Sequence, residues 1–171
     1  MKKRRNSARS RGFSILEMLT VVAIIGVIAS IAIPVYNMHT IRAKKTERSV
    51  YMAKFEEAVI EYYYAHERFP NGTLGTSSLF GDYNPPWPPM EARREFNNMT
   101  PDWSYLSFQP ASAVYFTYQV VAQQTAAGSY MWMYAYSDLD GDGVIGYRVH
   151  QWELTDGRWN RVSESESTGI L

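Results

Sequence analysis

The chain has 171 residues, 17 Lys and Arg against 17 Asp and Glu, three histidines and no cysteine. The missing thiols exclude a disulfide framework and thiolate chemistry, and His39, His66 and His150 are too scattered for a zinc-ligand pattern or a catalytic dyad. Neither a nucleophile elbow nor a phosphate-binding glycine loop appears, so the sequence reads as that of a non-enzyme.

The first element is an apolar run from Ser14 to Ile33, interrupted by one carboxylate, Glu17. Twenty helical residues extend about 30 Å, enough to cross the hydrocarbon core of a bilayer. Lys2, Lys3, Arg4, Arg5, Arg9 and Arg11 precede it and predict a cytoplasmic N-terminus. Arg42, Lys44, Lys45 and Arg48 on the far side weaken that bias without reversing it. A carboxylate in hydrocarbon costs several kcal/mol or neutralises, so Glu17 calls for a partner or a function. Gly12-Phe13 lies ahead of the apolar run, so cleavage there would leave the helix on the product, unlike a secretory signal.

Gly12-Phe13-x-x-x-Glu17, followed by an apolar run ending at Pro34, resembles the class III signal of type IV pilins and their pseudopilin relatives. The resemblance is dense to about Tyr36 and thinner to Pro70. It implies an α+β, type IV pilin-like fold, in which one long N-terminal helix packs on a small antiparallel β-meander head. It also implies that residues 1–12 are a leader, removed by prepilin peptidase between Gly12 and Phe13, and that the Phe13 amine is then N-methylated. Glu17 would pair with the Phe13 ammonium of a neighbouring subunit in a homo- or hetero-filament raised on an inner-membrane assembly platform. Such a pair rewards correct register more than it adds affinity. Localisation follows: a bacterial inner-membrane single-pass protein, then part of an extracellular pilus or a periplasmic pseudopilus. Glu17 argues against the tip subunit of pseudopilin systems, which lacks that carboxylate. Losing the leader takes the charge from 17 against 17 to 11 against 17, or about −6.

Residues 13–34 form the membrane and assembly helix, and 35–70 its amphipathic continuation. Met52, Phe55, Val59, Tyr62, Tyr63 and His66 recur at three- and four-residue steps, with Lys54, Glu56, Glu57 and Glu61 on the remaining surface. Arg68 to Gly72 ends the helix, because Pro70 pushes Phe69 out of the helical region. Pro34 inside the helix costs about 3 kcal/mol and Gly26 about 1 kcal/mol. These two assembly-segment residues either form a harmless kink or mark a stretch that unwinds when subunits leave the membrane.

Residues 71–112 read as a helix-to-sheet loop. Tyr83 to Pro89 is too proline-rich for a helix or a central strand, and its Trp87 is either tucked in or presented outward. Met90 to Phe96 is expected as a short helix. Residues 113–171 form the sheet. Val114, Phe116, Tyr118 and Val120 share one face, while Tyr130, Trp132, Tyr134 and Tyr136 alternate with Met131, Met133 and Ala135. A strand follows near Tyr147 to Glu153, then an Asp156-Gly157 hairpin turn and a short fourth strand at Arg158 to Val162. Ser163 to Ser167 is expected as a frayed tail. The 15% aromatic content, with 13 tyrosines, agrees with a β-rich, partly exposed surface.

The one constellation with coordination chemistry is Asp138-Leu139-Asp140-Gly141-Asp142-Gly143-Val144. Alternate aspartates in a glycine-bent loop converge hard oxygens as Ca²⁺ requires, and the Val144 carbonyl adds another. It is not an EF-hand, since Val149 stands where the bidentate glutamate belongs and the flanks read as strands. Three like charges within five residues repel unless neutralised, which favours structural Ca²⁺ over an ion-free turn. Glu153 is a candidate further ligand. The acidic mature chain speaks against nucleic-acid binding.

Three functions stand: a type IV pilin, major or minor; a pseudopilin of a type II secretion system, with which the cysteine-free head agrees; and a membrane-anchored Ca²⁺-binding domain that does not polymerise.

Overall fold

The computed structural model describes residues 13–70, 77–100 and 103–167. Gly12, Asn71 and Gly72 lie outside the described residues. One helix, α1 (Ile15–His66), precedes five strands: β1 (Ser77–Asn84), β2 (Thr117–Thr125), β3 (Gly128–Ser137), β4 (Gly146–Thr155) and β5 (Arg158–Glu166). Every neighbour in the sheet order β1-β2-β3-β4-β5 is antiparallel. The α+β arrangement expected from the sequence is present. The chain forms two compact units, one ending at His39 and one beginning at Thr40.

In the first unit α1 is long and apolar enough to cross a membrane, and no residue between Phe13 and His39 is buried. The helix is assigned without interruption through Pro34.

In the second unit Met52, Phe55, Ala58, Val59 and Tyr63 of α1 are buried with Val120, Ala122, Met131, Met133 and Ala135 of the sheet. These strand positions alternate, as period two requires. The helix ends where Glu67 turns left-handed (φ 53°), its N–H bonded to the Tyr63 carbonyl at 2.7 Å. Asp156 and Gly157 both take positive φ (52° and 72°), which matches the twist of the β4–β5 hairpin.

The structure corrects several expectations. The 71–112 stretch is not only loop, because Ser77–Asn84 forms edge strand β1 beside β2. Met90 to Phe96 is not helical; an isolated bridge joins Arg94 to Val114, and the Arg94 guanidinium reaches the Pro86 carbonyl and Thr117 Oγ1. That connection carries three of the five rings of an aromatic cluster. The Phe55 ring lies 5.0–5.2 Å from those of Phe96, Trp103, Phe108 and Tyr118. Such pairs add about 0.5–1.5 kcal/mol each beyond area burial. Tyr62 is half-buried and His66 exposed, so the buried helix face is narrower there than its spacing implied.

The largest corrections are ionic. Glu56, expected on the surface, is buried, with its Oε1 2.6 Å from Nδ1 of buried His150. Ser163 to Ser167 is not frayed either. Strand β5 runs to Glu166, Arg148 pairs with Glu164, and buried Arg48 lies 2.9 Å from Glu166. Ion pairs and edge pairing hold in place a segment whose composition alone reads as tail.

Candidate functional site

The assembly segment begins at Phe13, which is 70% exposed. Ser14 caps α1: its Oγ accepts the Leu16 N–H at 3.2 Å and its carbonyl accepts the Glu17 N–H at 3.1 Å. Glu17 therefore stands in the first turn, where the positive end of the helix dipole favours a carboxylate. The spacing of Ser14 and Glu17 is also that of a capping box. Glu17 is exposed on an unburied apolar helix and has no ion pair among the described residues. A carboxylate so placed is suited to a cation from outside the chain. Gly26 has open space around its Cα, so a neighbouring helix can approach closely there.

The aspartate loop connects β3 and β4. One carboxylate oxygen from each of Asp138, Asp140 and Asp142 lies within 4.8 Å of the others. Asp138 Oδ1 accepts the Gly141 N–H at 2.9 Å and its Oδ2 the Gly143 N–H at 3.2 Å, while Asp142 Oδ1 accepts the Val144 N–H at 2.7 Å. Gly141 and Gly143 sit at φ 73° and 83°, conformations that admit glycine readily and bring the aspartates round to one side. Glu153 is far from this cluster. It faces Tyr130, seven residues along β4 from Gly146, or about 23 Å. The carboxylate that does approach is Glu91, whose Oε2 would stand 3.1 Å from a Cβ at Gly141. Lys44 braces the loop through the Leu139 carbonyl at 3.1 Å and lies 3.9 Å from Glu91. No sequence spacing signals Glu91, because it comes from the long connection before β2.

The model for the prokaryotic N-terminal methylation motif matches residues 7–33. In this segment the chain carries the methylation motif, and over its N-terminal part it is similar to type IV pilins. The type IV major pilin protein PilE of Neisseria gonorrhoeae is 35% identical over 78 residues, which is 43% of this chain and 47% of that protein. The fimbrial protein of Neisseria meningitidis serogroup B is 33% identical over 78 residues, 43% of this chain and 46% of its own. Type IV major pilin protein PilA of Myxococcus xanthus is 33% identical over 69 residues, 40% of this chain and 31% of that protein. The chain thus spans less than half the length of each of these curated relatives. No solved structure matches it.

Sequence reasoning missed the buried Glu56–His150 pair and the Arg48–Glu166 contact. The partners lie on different elements, and an acidic residue on an amphipathic helix reads as solvated surface.

Proposed function

We propose that the mature chain is a structural subunit, major or minor, of a type IV pilus-like filament. The observation that carries this reading is Glu17, a single exposed carboxylate in the first turn of an unburied apolar helix, within the methylation-motif segment. In a membrane or a filament core that carboxylate is costly until a cation meets it. The freed amine of Phe13 on a neighbouring subunit is the cation whose appearance coincides with maturation.

On this reading prepilin peptidase cuts between Gly12 and Phe13 on the cytoplasmic side, and Phe13 is methylated. The helix waits in the inner membrane and then passes to the assembly platform. Gly26 and Pro34 define the stretch that loosens on extraction, making the fibre extensible. The role is non-catalytic. The similarity to major pilins favours a pilus over a secretion pseudopilus. In the native host, Glu17→Ala should leave processing intact and abolish filament incorporation. Normal filaments from that variant would refute the reading.

We further propose that Asp138, Asp140 and Asp142 hold one structural Ca²⁺, with the Val144 carbonyl as a further ligand. Oxygens 2.3–2.6 Å from one ion are necessarily within about 5 Å of each other, a condition the three carboxylates meet. At a hundredfold excess over Kd the ion adds about 2.7 kcal/mol of stability. Calorimetry of the detergent-solubilised full chain should show a higher melting temperature in millimolar Ca²⁺ than in chelator, and Asp140→Ala should erase the difference. No shift in the unaltered chain would make the loop an ion-free turn.

A further inference from the structure

The face of the sheet turned away from α1 carries an aromatic stripe. Along β3, Tyr130, Trp132, Tyr134 and Tyr136 are half-buried and alternate with fully buried Met131, Met133 and Ala135, which fill the core. The Tyr134 and Tyr136 rings stack at 5.6 Å and 6°, and those of Tyr130 and Trp132 at 6.1 Å and 25°. Six residues of strand make the stripe about 20 Å long. Beyond Tyr136 it continues onto other elements. Trp87 of the proline-rich run lies 5.4 Å from the Tyr136 ring, Tyr83 5.7 Å and Tyr147 6.2 Å. Trp87 is 45% exposed, so of the two alternatives for this residue it takes the outward one.

What flanks the rings decides the ligand class. Directly opposed residues of antiparallel strands share a face. Trp132 is flanked by Val121 and Gln151, with Ser163 beyond; Tyr134 by Gln119 and Val149, with Ser165 beyond. Thr117 and Tyr147 flank Tyr136. None of these strand residues is charged, and the one charged group that reaches them is the Arg94 guanidinium, bonded to Thr117 Oγ1 at the Tyr136 end. At the other end the first charge is Glu153, opposite Tyr130, and it is negative.

We propose that this face binds an uncharged polysaccharide chain. The C–H face of a sugar ring lies on the negative face of an aromatic ring, and its equatorial hydroxyls extend sideways to Gln119, Gln151 and Ser163, which both donate and accept. A nucleic acid would find stacking surfaces there but only one cation, Arg94 at the Tyr136 end, already bonded to the Pro86 carbonyl and Thr117 Oγ1, and none along the rest of the stripe for its phosphates. An open, flat stripe suits an extended polymer rather than a single enclosed sugar. Burial, then the neighbouring Tyr83, Tyr134 and Tyr147, pushes the Tyr136 hydroxyl well above its ordinary range, and burial raises Tyr134. Both stay neutral, and binding is flat with pH across the physiological range.

The test is co-sedimentation of the detergent-solubilised full chain with microcrystalline cellulose and with chitin. The unaltered chain should be retained on at least one. Trp132→Ala and Tyr134→Ala should each lower the bound fraction about tenfold, with Trp132→Phe retaining most of it and near-UV circular dichroism confirming the fold. Salt at about 1 M and single-stranded DNA should leave retention unchanged. Retention on neither polysaccharide would overturn the proposal, as would retention indifferent to Trp132→Ala. If Trp132→Ala instead splits an oligomer of the solubilised chain, the face belongs to a second copy and the proposal fails.

Discussion

The Glu56–His150 pair offers a quantitative test of how the head is held together. Glu56 is 5% exposed and His150 6%, with 2.6 Å between Oε1 and Nδ1. On its other side, His150 Nε2 lies 3.6 Å from Glu164 Oε2, so the imidazole stands between α1 and β5 while belonging to β4. Replacing Glu56 by leucine leaves a buried ring without its acceptor. Breaking a buried pair costs about 3–5 kcal/mol, and an unsatisfied neutral group alone about 1–3 kcal/mol. Because both partners are fixed on packed elements and cannot turn to water, a loss of about 3 kcal/mol is expected. At about 4 °C per kcal/mol for a domain of this size, the melting temperature falls by about 12 °C. The double variant Glu56→Leu/His150→Leu removes both polar groups and should return to within about 1 kcal/mol of the unaltered protein. Thermal unfolding of the solubilised full chain, followed by near-UV circular dichroism, reads all three. A single variant within about 1 kcal/mol of the starting chain, or a double variant showing simple additivity, would refute the reasoning.

Two further outcomes follow from buried polar groups. The Tyr118 hydroxyl is buried without a hydrogen-bond partner among the described residues, so Tyr118→Phe should stabilise the head by about 1 kcal/mol in the same assay. Burial, reinforced by Glu47 and Tyr51, raises the Tyr118 hydroxyl well above its ordinary value. The unfolded chain therefore loses that proton first: stability owed to it is complete below pH about 10 and declines above, at up to about 1.4 kcal/mol per pH unit, and Tyr118→Phe should flatten the decline. Arg48, 2% exposed and ion-paired with Glu166, holds the end of β5. Arg48→Met should raise amide exchange at residues 163–167 at least tenfold while leaving β2 and β3 protected; unchanged exchange would place the anchor elsewhere.

Local signals were readable wherever structure follows from local pattern. The apolar run, the Gly12-Phe13 junction, Glu17 and Pro34 occupy one continuous segment. The β3 alternation declares itself in ten residues, and Asp156-Gly157 names its own turn. What stayed hidden depends on partners far along the chain. Strand β1 is edge strand, paired only with β2 from across a long connection, and its Gly-Asp-Tyr-Asn end reads as loop. Phe96 and Trp103 sit in a stretch without periodicity and enter the core only because Phe55 offers a ring to each. Glu56 and Glu164 look solvated until Arg148 and His150 come alongside them. The aspartate loop was visible as a cluster, whereas its neighbour Glu91 was not.

The central claim is that α1 is the exported, N-methylated spine of a filament subunit. Intact-mass analysis of the protein from its native host tests it most directly. The account predicts a mature species lacking residues 1–12, beginning at Phe13 and heavier by one methyl group. A full-length species in the assembled fraction, or cleavage beyond Pro34 that discards the apolar helix, would contradict it.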